Sequence, residues 1–483
     1  MADPVNATAV EGTVEGVTVT APAAARLTLL DSTMLVMGGI VGAGIFSNPY
    51  VVARIVGRGE LMLIAWGIGG VVALAGAFVY AELAARHPAR GGHYAYMRDA
   101  FHPAVAFMFG WAILLVVQTG GIAAVAVTFA RYFLAIVPLG VPDRVVAVAA
   151  LAAVTIVNCV GLRAGNAAQR TFMLLKIAAI AAIVACGIVL LARGLGATDA
   201  MRAGSPAAGA PPVTSAWLAL AAALTPVMFA YGGWQTASFA AAEMRDPARD
   251  LARAMLYGVL GVVALYIAVN AVFILALGAG GLAQTTVPAA AVVDHLSPRA
   301  HLGAAVIAGF VALSTLGFLS QAMFAVPRVY QAMAADGLFF DSVARVSPRT
   351  HVPTRAIALQ GTLAAIVAAS GTYEAIMSYV ISVDFIFYGL AALALFVFRA
   401  RAKGAPPAAG YAIPGHPWTT GFFMLASWGI VAATVHADPA HSLVGMTFLV
   451  LGLPAYFVWM RLTRRGARPD TRPTASAIVP PGA

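Results

Sequence analysis

Charge is what this sequence lacks. Asp, Glu, Lys and Arg make up only 10% of its 483 residues, where a soluble domain carries about 25%. That deficit excludes an ordinary water-facing globule. Cysteine is nearly absent too. Cys159 and Cys186 are the only two, and both fall in apolar stretches, where they read as small buried hydrophobes. A disulfide framework is therefore excluded. The nine histidines are scattered without metal-ligand spacing. The run Gly42-Ala43-Gly44-Ile45-Phe46 lacks the Lys-Ser/Thr that would bind a nucleotide phosphate. No nucleophile–base pair or metal cluster sits within the apolar stretches, so a membrane enzyme has no support. Neither a metal nor a cofactor is expected.

What the chain has in abundance is apolar length: 61% hydrophobic residues and a mean hydropathy of +0.88. The net charge of +10 is spread over short loops without aromatic interleaving, so a basic membrane protein, not a nucleic-acid partner, is the reading. Residues 1–25 are small, polar and acidic-leaning, with no basic segment leading into an apolar one, so they do not read as a signal peptide.

A helix needs about 20 apolar residues to cross a bilayer. Twelve stretches qualify, near 27–56, 61–85, 104–136, 144–161, 169–192, 216–242, 253–277, 300–334, 353–370, 373–399, 418–436 and 442–460. The first, third, sixth and eighth are long, which predicts breaks or strong tilt. With the N-terminus in the cytoplasm, twenty of the 29 Lys and Arg residues fall on the inner side, six fall outside and three (Arg131, Lys176 and Arg328) lie within spans. That bias favours twelve spans with both ends inside.

The expected organisation is a disordered cytoplasmic N-tail (1–26), a five-helix block (27–192), an outer loop (193–215), a second five-helix block (216–399), two further helices (400–462) and a disordered cytoplasmic C-tail (463–483). The fold class is an all-α integral membrane protein.

Two spans carry clustered glycine: Gly38-Gly39-Ile40-Val41-Gly42-Ala43-Gly44 in the first and Phe229-Ala230-Tyr231-Gly232-Gly233-Trp234 in the sixth. Each opens its five-span block. Glycine weakens a helix by about 1 kcal/mol relative to alanine, so these are places where a helix can open. In lipid an open backbone is tolerated only against protein or a cavity. Broken spans at matching positions of two halves point to a transporter's substrate site. One cluster alone reads as close helix packing; two in corresponding spans read as a site. Gly42, Ala43 and Gly44 would offer N–H groups at a half-helix N-terminus, suited to a carboxylate. Gly232 and Gly233 would offer carbonyls, suited to an ammonium group. A ligand with both charges is an α-amino acid. Phe229 and Trp234 flank the second break as candidate gates, though each also reads as a packing aromatic.

Lys176 lies six positions beyond Arg170, roughly 9 Å into the bilayer at about 1.5 Å per residue. It can snorkel, but an intramembrane charge is usually paired or working. An ammonium there can fill the place of a bound cation, or release its proton in apolar surroundings. Gln118, Ser314, Thr315 and Ser320 could line a cavity or simply bond neighbouring helices. Glu82 and Glu243 end their spans near Arg86 and Arg245. Asp384 needs a partner, with Arg328 one candidate.

These residues resemble the amino acid–polyamine–organocation superfamily of permeases, above all its L-type amino acid transporter branch and related bacterial exchangers. The resemblance rests on Gly42-Ala43-Gly44-Ile45-Phe46, where many members have serine at the place of Ala43. It rests also on Phe229-Ala230-Tyr231-Gly232-Gly233-Trp234 with Glu243, and on Asn158-Cys159-Val160-Gly161, Gly165, Gln169 and Phe172 through Lys176. Pro327-Arg328, Ala332-Met333, Asp336-Gly337-Leu338 and Pro414-Gly415-His416-Pro417-Trp418 complete it. It implies a leucine-transporter-like fold of 5+5 inverted repeats with broken first and sixth helices, two added helices and alternating access. Carried over, Gly42, Ala43 and Gly44 meet the substrate carboxylate, with Ile40 and Val41 beside them in the substrate site. Phe229, Ala230, Gly232 and Trp234, with Gln118, complete the substrate site. Lys176, with Ser314, stands where sodium-coupled relatives hold an ion, which implies sodium independence.

Three departures matter. Gln235 and Thr236 follow Trp234 where eukaryotic members often have Asn-Tyr. Phe318 stands where relatives often place a small or hydroxyl residue near the lysine. The outer loop 138–143 lacks the cysteine that links animal members to a glycoprotein subunit, so no disulfide-linked partner is expected. The expectation is an inner-membrane exchanger or proton-linked carrier of neutral L-amino acids. A cationic amino acid or polyamine antiporter, and a non-transporting amino acid sensor, are the alternatives.

Overall fold

The computed structural model describes residues 28–87, 92–161, 166–194, 215–234, 244, 247–296, 301–325, 329–330, 333–334, 336–350, 352–403, 405 and 411–466. Helices carry nearly all of them. Eight are long and apolar enough to cross a membrane, or nine when the bent pair Leu29–Ile40 and Gly44–Val56 counts as one span. Three further stretches read as spans in the sequence form helices of 16 or 17 residues: Asp143–Cys159, Ala216–Tyr231 and Thr354–Ser370. Ala216–Tyr231 is short because it stops at the second glycine cluster, and residues 235–243, which would continue it, lie outside the described residues.

The elements that position the site are few. Helix α1 (Leu29–Ile40) starts at Thr28, which accepts from the Asp31 amide at 3.2 Å while Asp31 accepts from the Thr28 amide at 3.0 Å, a reciprocal cap. Helices α2 (Gly44–Val56) and α3 (Gly59–Arg86) follow, and then the short α4 (His93–Ala100). The third predicted span is α5 (Pro103–Ala112) joined to α6 (Gln118–Ile136) through one π-helical turn over Ile113–Val117. Helices α7 (Asp143–Cys159) and α8 (Asn166–Arg193) close the first half.

In the second half, α9 (Ala216–Tyr231) begins where Ser215 accepts from the Leu218 amide at 3.4 Å. It is followed by α10 (Pro247–Ala283), α11 (Pro288–Leu296) and α12 (His301–Ala325). Next come α13 (Asp341–Ala344), α14 (Thr354–Ser370), α15 (Tyr373–Arg401), α16 (Trp418–Ala437) and α17 (Pro439–Gly466).

Helix α2 packs on α9, and α1 on α10, so the starts of both halves share one interior. Small side chains make this possible. With no solvent to drive apolar burial, helices in lipid hold together by close approach and by bonds between them. Glu82, fully buried near the end of α3, shows the second device. It accepts from Arg86 one turn on and, through both oxygens, from Arg399 at 2.8 and 2.6 Å; the Ile413 amide adds a bond at 2.7 Å. The pairing with Arg86 read from sequence is thus part of a larger clamp across α3 and α15. Glu243, Arg245 and Arg328 lie outside the described residues.

Candidate functional site

The first glycine cluster opens its helix. Helix α1 ends at Ile40, α2 starts at Gly44, and the two are bent by 44°. The Val41 amide still bonds the Met37 carbonyl at 2.7 Å, whereas the next helical bonds are Phe46 and Ser47 to the Ala43 carbonyl at 3.1 and 3.2 Å. The amides from Gly42 to Ile45 therefore sit ahead of the α2 ladder, at the positive end of its dipole.

The second cluster ends its helix. The Gly232 amide bonds the Met228 carbonyl at 2.9 Å, and the chain then leaves the helical path with Gly232 at ψ 153° and Gly233 at φ +117°. Glycine alone adopts that last value without strain.

The two openings touch. A methyl group at Gly44 would lie 2.7 Å from the Ala230 α-carbon, and one at Gly233 would strike the Gly39 carbonyl. The Asn48 side-chain amide donates to the Pro226 carbonyl at 2.5 Å and accepts from the Tyr373 hydroxyl at 2.6 Å. From α10, the Tyr266 hydroxyl bonds the Ile40 carbonyl at 3.1 Å and the Ala230 carbonyl at 3.2 Å, and also faces the Gly42 amide. Sequence reasoning missed Tyr266, Asn48 and Tyr373. For Asn48 the available signal was a polar side chain inside an otherwise apolar stretch; the two tyrosines gave none.

Ile40, Val41, Ala43, Gly44, Ala230 and Trp234 are buried, while Gly42, Phe229 and Gly232 keep accessible surface. The Phe229 ring lies edge-on to Tyr373 at 6.5 Å, and the Trp234 ring lies 5.2 Å from Tyr388. Lys176 is buried on α8, with its ammonium 5.8 Å from the centre of the Phe318 ring. Phe318 in turn approaches the first break: a methyl at Gly42 would meet its ring at 3.9 Å. Thus Phe318 stands between lysine and break. Ser314 is buried one turn before Phe318 on α12. Gln118 is half-buried just after the π turn, and no bond ties it to either break among the described residues. Ser320 accepts from the Asn158 side-chain amide of α7 at 3.3 Å, a bond between helices, and Thr315 bonds the α12 backbone.

Charged clusters lie beyond the breaks at both ends. On one side Arg131 reaches Tyr50 at 2.8 Å and Asp143 at 3.1 Å, and Tyr50 donates to Glu374 at 2.5 Å. On the other, Arg98 bonds Asp99 at 2.7 Å and Asp336 at 2.9 Å. The Arg98 guanidinium holds the Asp99 carboxyl below the usual range, with His87 helping. Beside Arg98 and Asp336 lies a surface hollow of about 570 Å³ lined by Leu338, Tyr456 and Met460, away from the breaks. Among the described residues no three His, Cys, Asp or Glu side chains group to hold a metal ion, and Cys159 and Cys186 are both free thiols.

The profile of a family described as "Amino acid permease" matches residues 27–459. The human b(0,+)-type amino acid transporter 1 is 28% identical over 94% of this chain and 93% of its own length. The human cystine/glutamate transporter is 26% identical over 90% and 85%. The serine/threonine exchanger SteT of Bacillus subtilis (strain 168) is 27% identical over 89% and 95%.

Proposed function

Because the chain belongs to the amino acid permease family, we propose that it is a sodium-independent secondary transporter of neutral L-amino acids that works by alternating access. One observation carries this reading: the break between α1 and α2 meets the glycine end of α9, Gly44 against Ala230 and Gly233 against Gly39. The amides after Val41 take the substrate carboxylate, and the carbonyls ending α9 take its ammonium. Gly42, Ala43 and Gly44 line the first half of this site. Phe229, Ala230, Gly232 and Trp234 line the second. The surface that Gly42, Phe229 and Gly232 keep is where the ligand enters.

The proposed frame is twelve spans in two inverted five-helix repeats plus α16 and α17, with both termini in the cytoplasm of an inner membrane. Neutral substrates follow from the lack of an acidic side chain in either break. Lys176 supplies the fixed cation that removes the need for sodium, and Ser314 lies one turn from its Phe318 neighbour. Exchange is the favoured mode, in keeping with the name of the bacterial relative. The loop 138–143 has no cysteine, so the carrier works without a disulfide-linked subunit.

Counterflow into liposomes tests this. Labelled serine or leucine is expected to enter when unlabelled amino acid is inside, and to do so equally in sodium and choline buffer. Binding without counterflow would make the protein a sensor. A strict sodium requirement would remove the role of Lys176. Displacement by arginine or putrescine alone would turn the substrate class to cations.

A further inference from the structure

Asp384 lies near the middle of α15 (Tyr373–Arg401), roughly 16 Å along the helix from its start at about 1.5 Å per residue. Its neighbours at helical spacing, Val380, Ile381, Phe387, Tyr388 and Ala391, are all buried, so it points into the bundle and not at lipid. Yet Asp384 itself is only half-buried.

The groups around it carry hydroxyls and rings. Tyr388, one turn along, bonds the carboxyl, and Tyr80 of α3 is electrostatically coupled to it. Tyr80 places its hydroxyl 2.9 Å from Nδ1 of His93, and His93 Nε2 lies 3.1 Å from the Phe387 carbonyl. The His93 ring is parallel to that of Tyr388 at 6.0 Å, and Tyr96 of α4 packs on Tyr80 at 6.5 Å. Tyr388 on α15 and Tyr80 on α3 are the titratable groups coupled to Asp384 among the described residues. On the far side of Tyr388 stands Trp234, the residue that follows Gly232-Gly233. It is fully buried, and among the described residues its indole nitrogen has no bonding partner.

An isolated carboxylate at this depth is costly unless it gains a cation or a proton. A hard metal ion needs several oxygen ligands, and one carboxyl with tyrosine neighbours does not supply them. A proton needs only the carboxyl, and the Tyr80 hydroxyl and the neutral His93 ring lie on the side of α4, passing a proton by exchange with the ones they already carry. We propose that Asp384 is a proton-binding site inside the bundle, reached from α4 through His93 and Tyr80 and sensed at the second helix break through Tyr388 and Trp234. The carboxylate takes up a proton from one side to become a neutral acid and releases it on the other side as the carrier alternates. This rests on the transport reading above and makes the carrier proton-responsive.

The experiment uses the full chain in liposomes loaded with a pH-sensitive dye and records proton entry and amino acid entry together. For the wild-type protein the two are expected to rise together. In Asp384→Asn, proton entry per amino acid moved is expected to fall to background, and Asp384→Glu is expected to restore it. Tyr80→Phe, which removes one hydroxyl and keeps the ring, tests the route even where Asp384→Asn does not reach the membrane; it too is expected to lower the ratio. A wild-type ratio in either of these variants, or amino acid entry without any proton entry in the wild-type protein, overturns the proposal. Absence of amino acid entry in the wild-type protein would instead overturn the transport reading.

Discussion

Gly44 presses its α-carbon against Ala230, so closely that an added methyl would sit 2.7 Å from the Ala230 α-carbon and 2.8 Å from its methyl. Both partners are backbone-proximal and neither can swing away. Gly42, two residues earlier, is different: a methyl there would find the Ile40 carbonyl at 3.8 Å and the Phe318 ring at 3.9 Å, ordinary contact distances. The first glycine of the Gly-Ala-Gly run thus leaves room beside it, and the last is required by packing.

Those two environments separate folding from transport. Gly44→Ala is expected to lower the melting temperature and abolish transport together. Gly42→Ala is expected to keep the wild-type melting temperature and weaken substrate binding, because its methyl intrudes on the ligand's space. Gly121→Ala, in a helix with nothing within 4 Å, serves as control and is expected to be neutral or stabilising by about 0.5–1 kcal/mol. Thermal melting and counterflow on the three variants check this; a melting loss in Gly42→Ala equal to that in Gly44→Ala would contradict it.

Tyr266 is the clamp between the openings. Its hydroxyl serves the Ile40 and Ala230 carbonyls, which belong to different broken helices. Tyr266→Phe leaves both buried acceptors without this donor, at about 1–3 kcal/mol. The expected result is a lower melting temperature and slower exchange, with substrate still bound. A variant that melts and exchanges like the wild type would show that the two breaks are held together by packing alone.

The breaks themselves were legible because glycine is conspicuous where a helix should run unbroken. Of the four long spans, the first breaks at residues 41–43 and the third carries a π turn over Ile113–Val117; α9 stops at Tyr231, and the far parts of the sixth and eighth lie largely outside the described residues. Tyr266 was not legible. In a span that is apolar all round, periodicity does not say which face looks inward, so a lone tyrosine gives no direction. The Arg399 grip on Glu82 was hidden for another reason, since the two are 317 positions apart and no local pattern joins them. Lys176 was conspicuous by its depth. The sequence sets Phe318 near the lysine, but that its ring also reaches Gly42 follows from how α12 packs against the first break.

Lys176 offers a sharper experiment than simple removal. Its ammonium faces the Phe318 ring at 5.8 Å, a contact worth about 2 kcal/mol once desolvated. Lys176→Met keeps length and apolar volume but not charge, and is expected to insert and melt normally while transport falls sharply. Lys176→Ala should fall equally in transport. Phe318→Leu is expected to retain part of the activity, because the lysine persists without its ring. Wild-type transport in Lys176→Met would mean that the charge merely snorkels.

His93 sets a pH limit on the fold. It is buried on α4 between Tyr80 and the Phe387 carbonyl. Burial pushes its imidazole from 6.5 down to about 3, only partly opposed by the bond to Phe387. The unfolded chain therefore binds a proton at this residue below about pH 6.5 that the folded chain refuses until about pH 3. Between those values the unfolded state holds more protons, so stability rises with pH and is lost as pH falls through that window. The slope from this one group is about 1.4 kcal/mol per pH unit. Melting temperature measured against pH in detergent is expected to drop steadily below pH 6.5 for the wild type. In His93→Asn, which has no titrating ring, the drop is expected to be shallower by one proton's worth, even though the variant starts from a lower plateau because the Tyr80 contact is altered. Parallel curves for the two proteins would mean that His93 charges in place and that the acid sensitivity arises elsewhere.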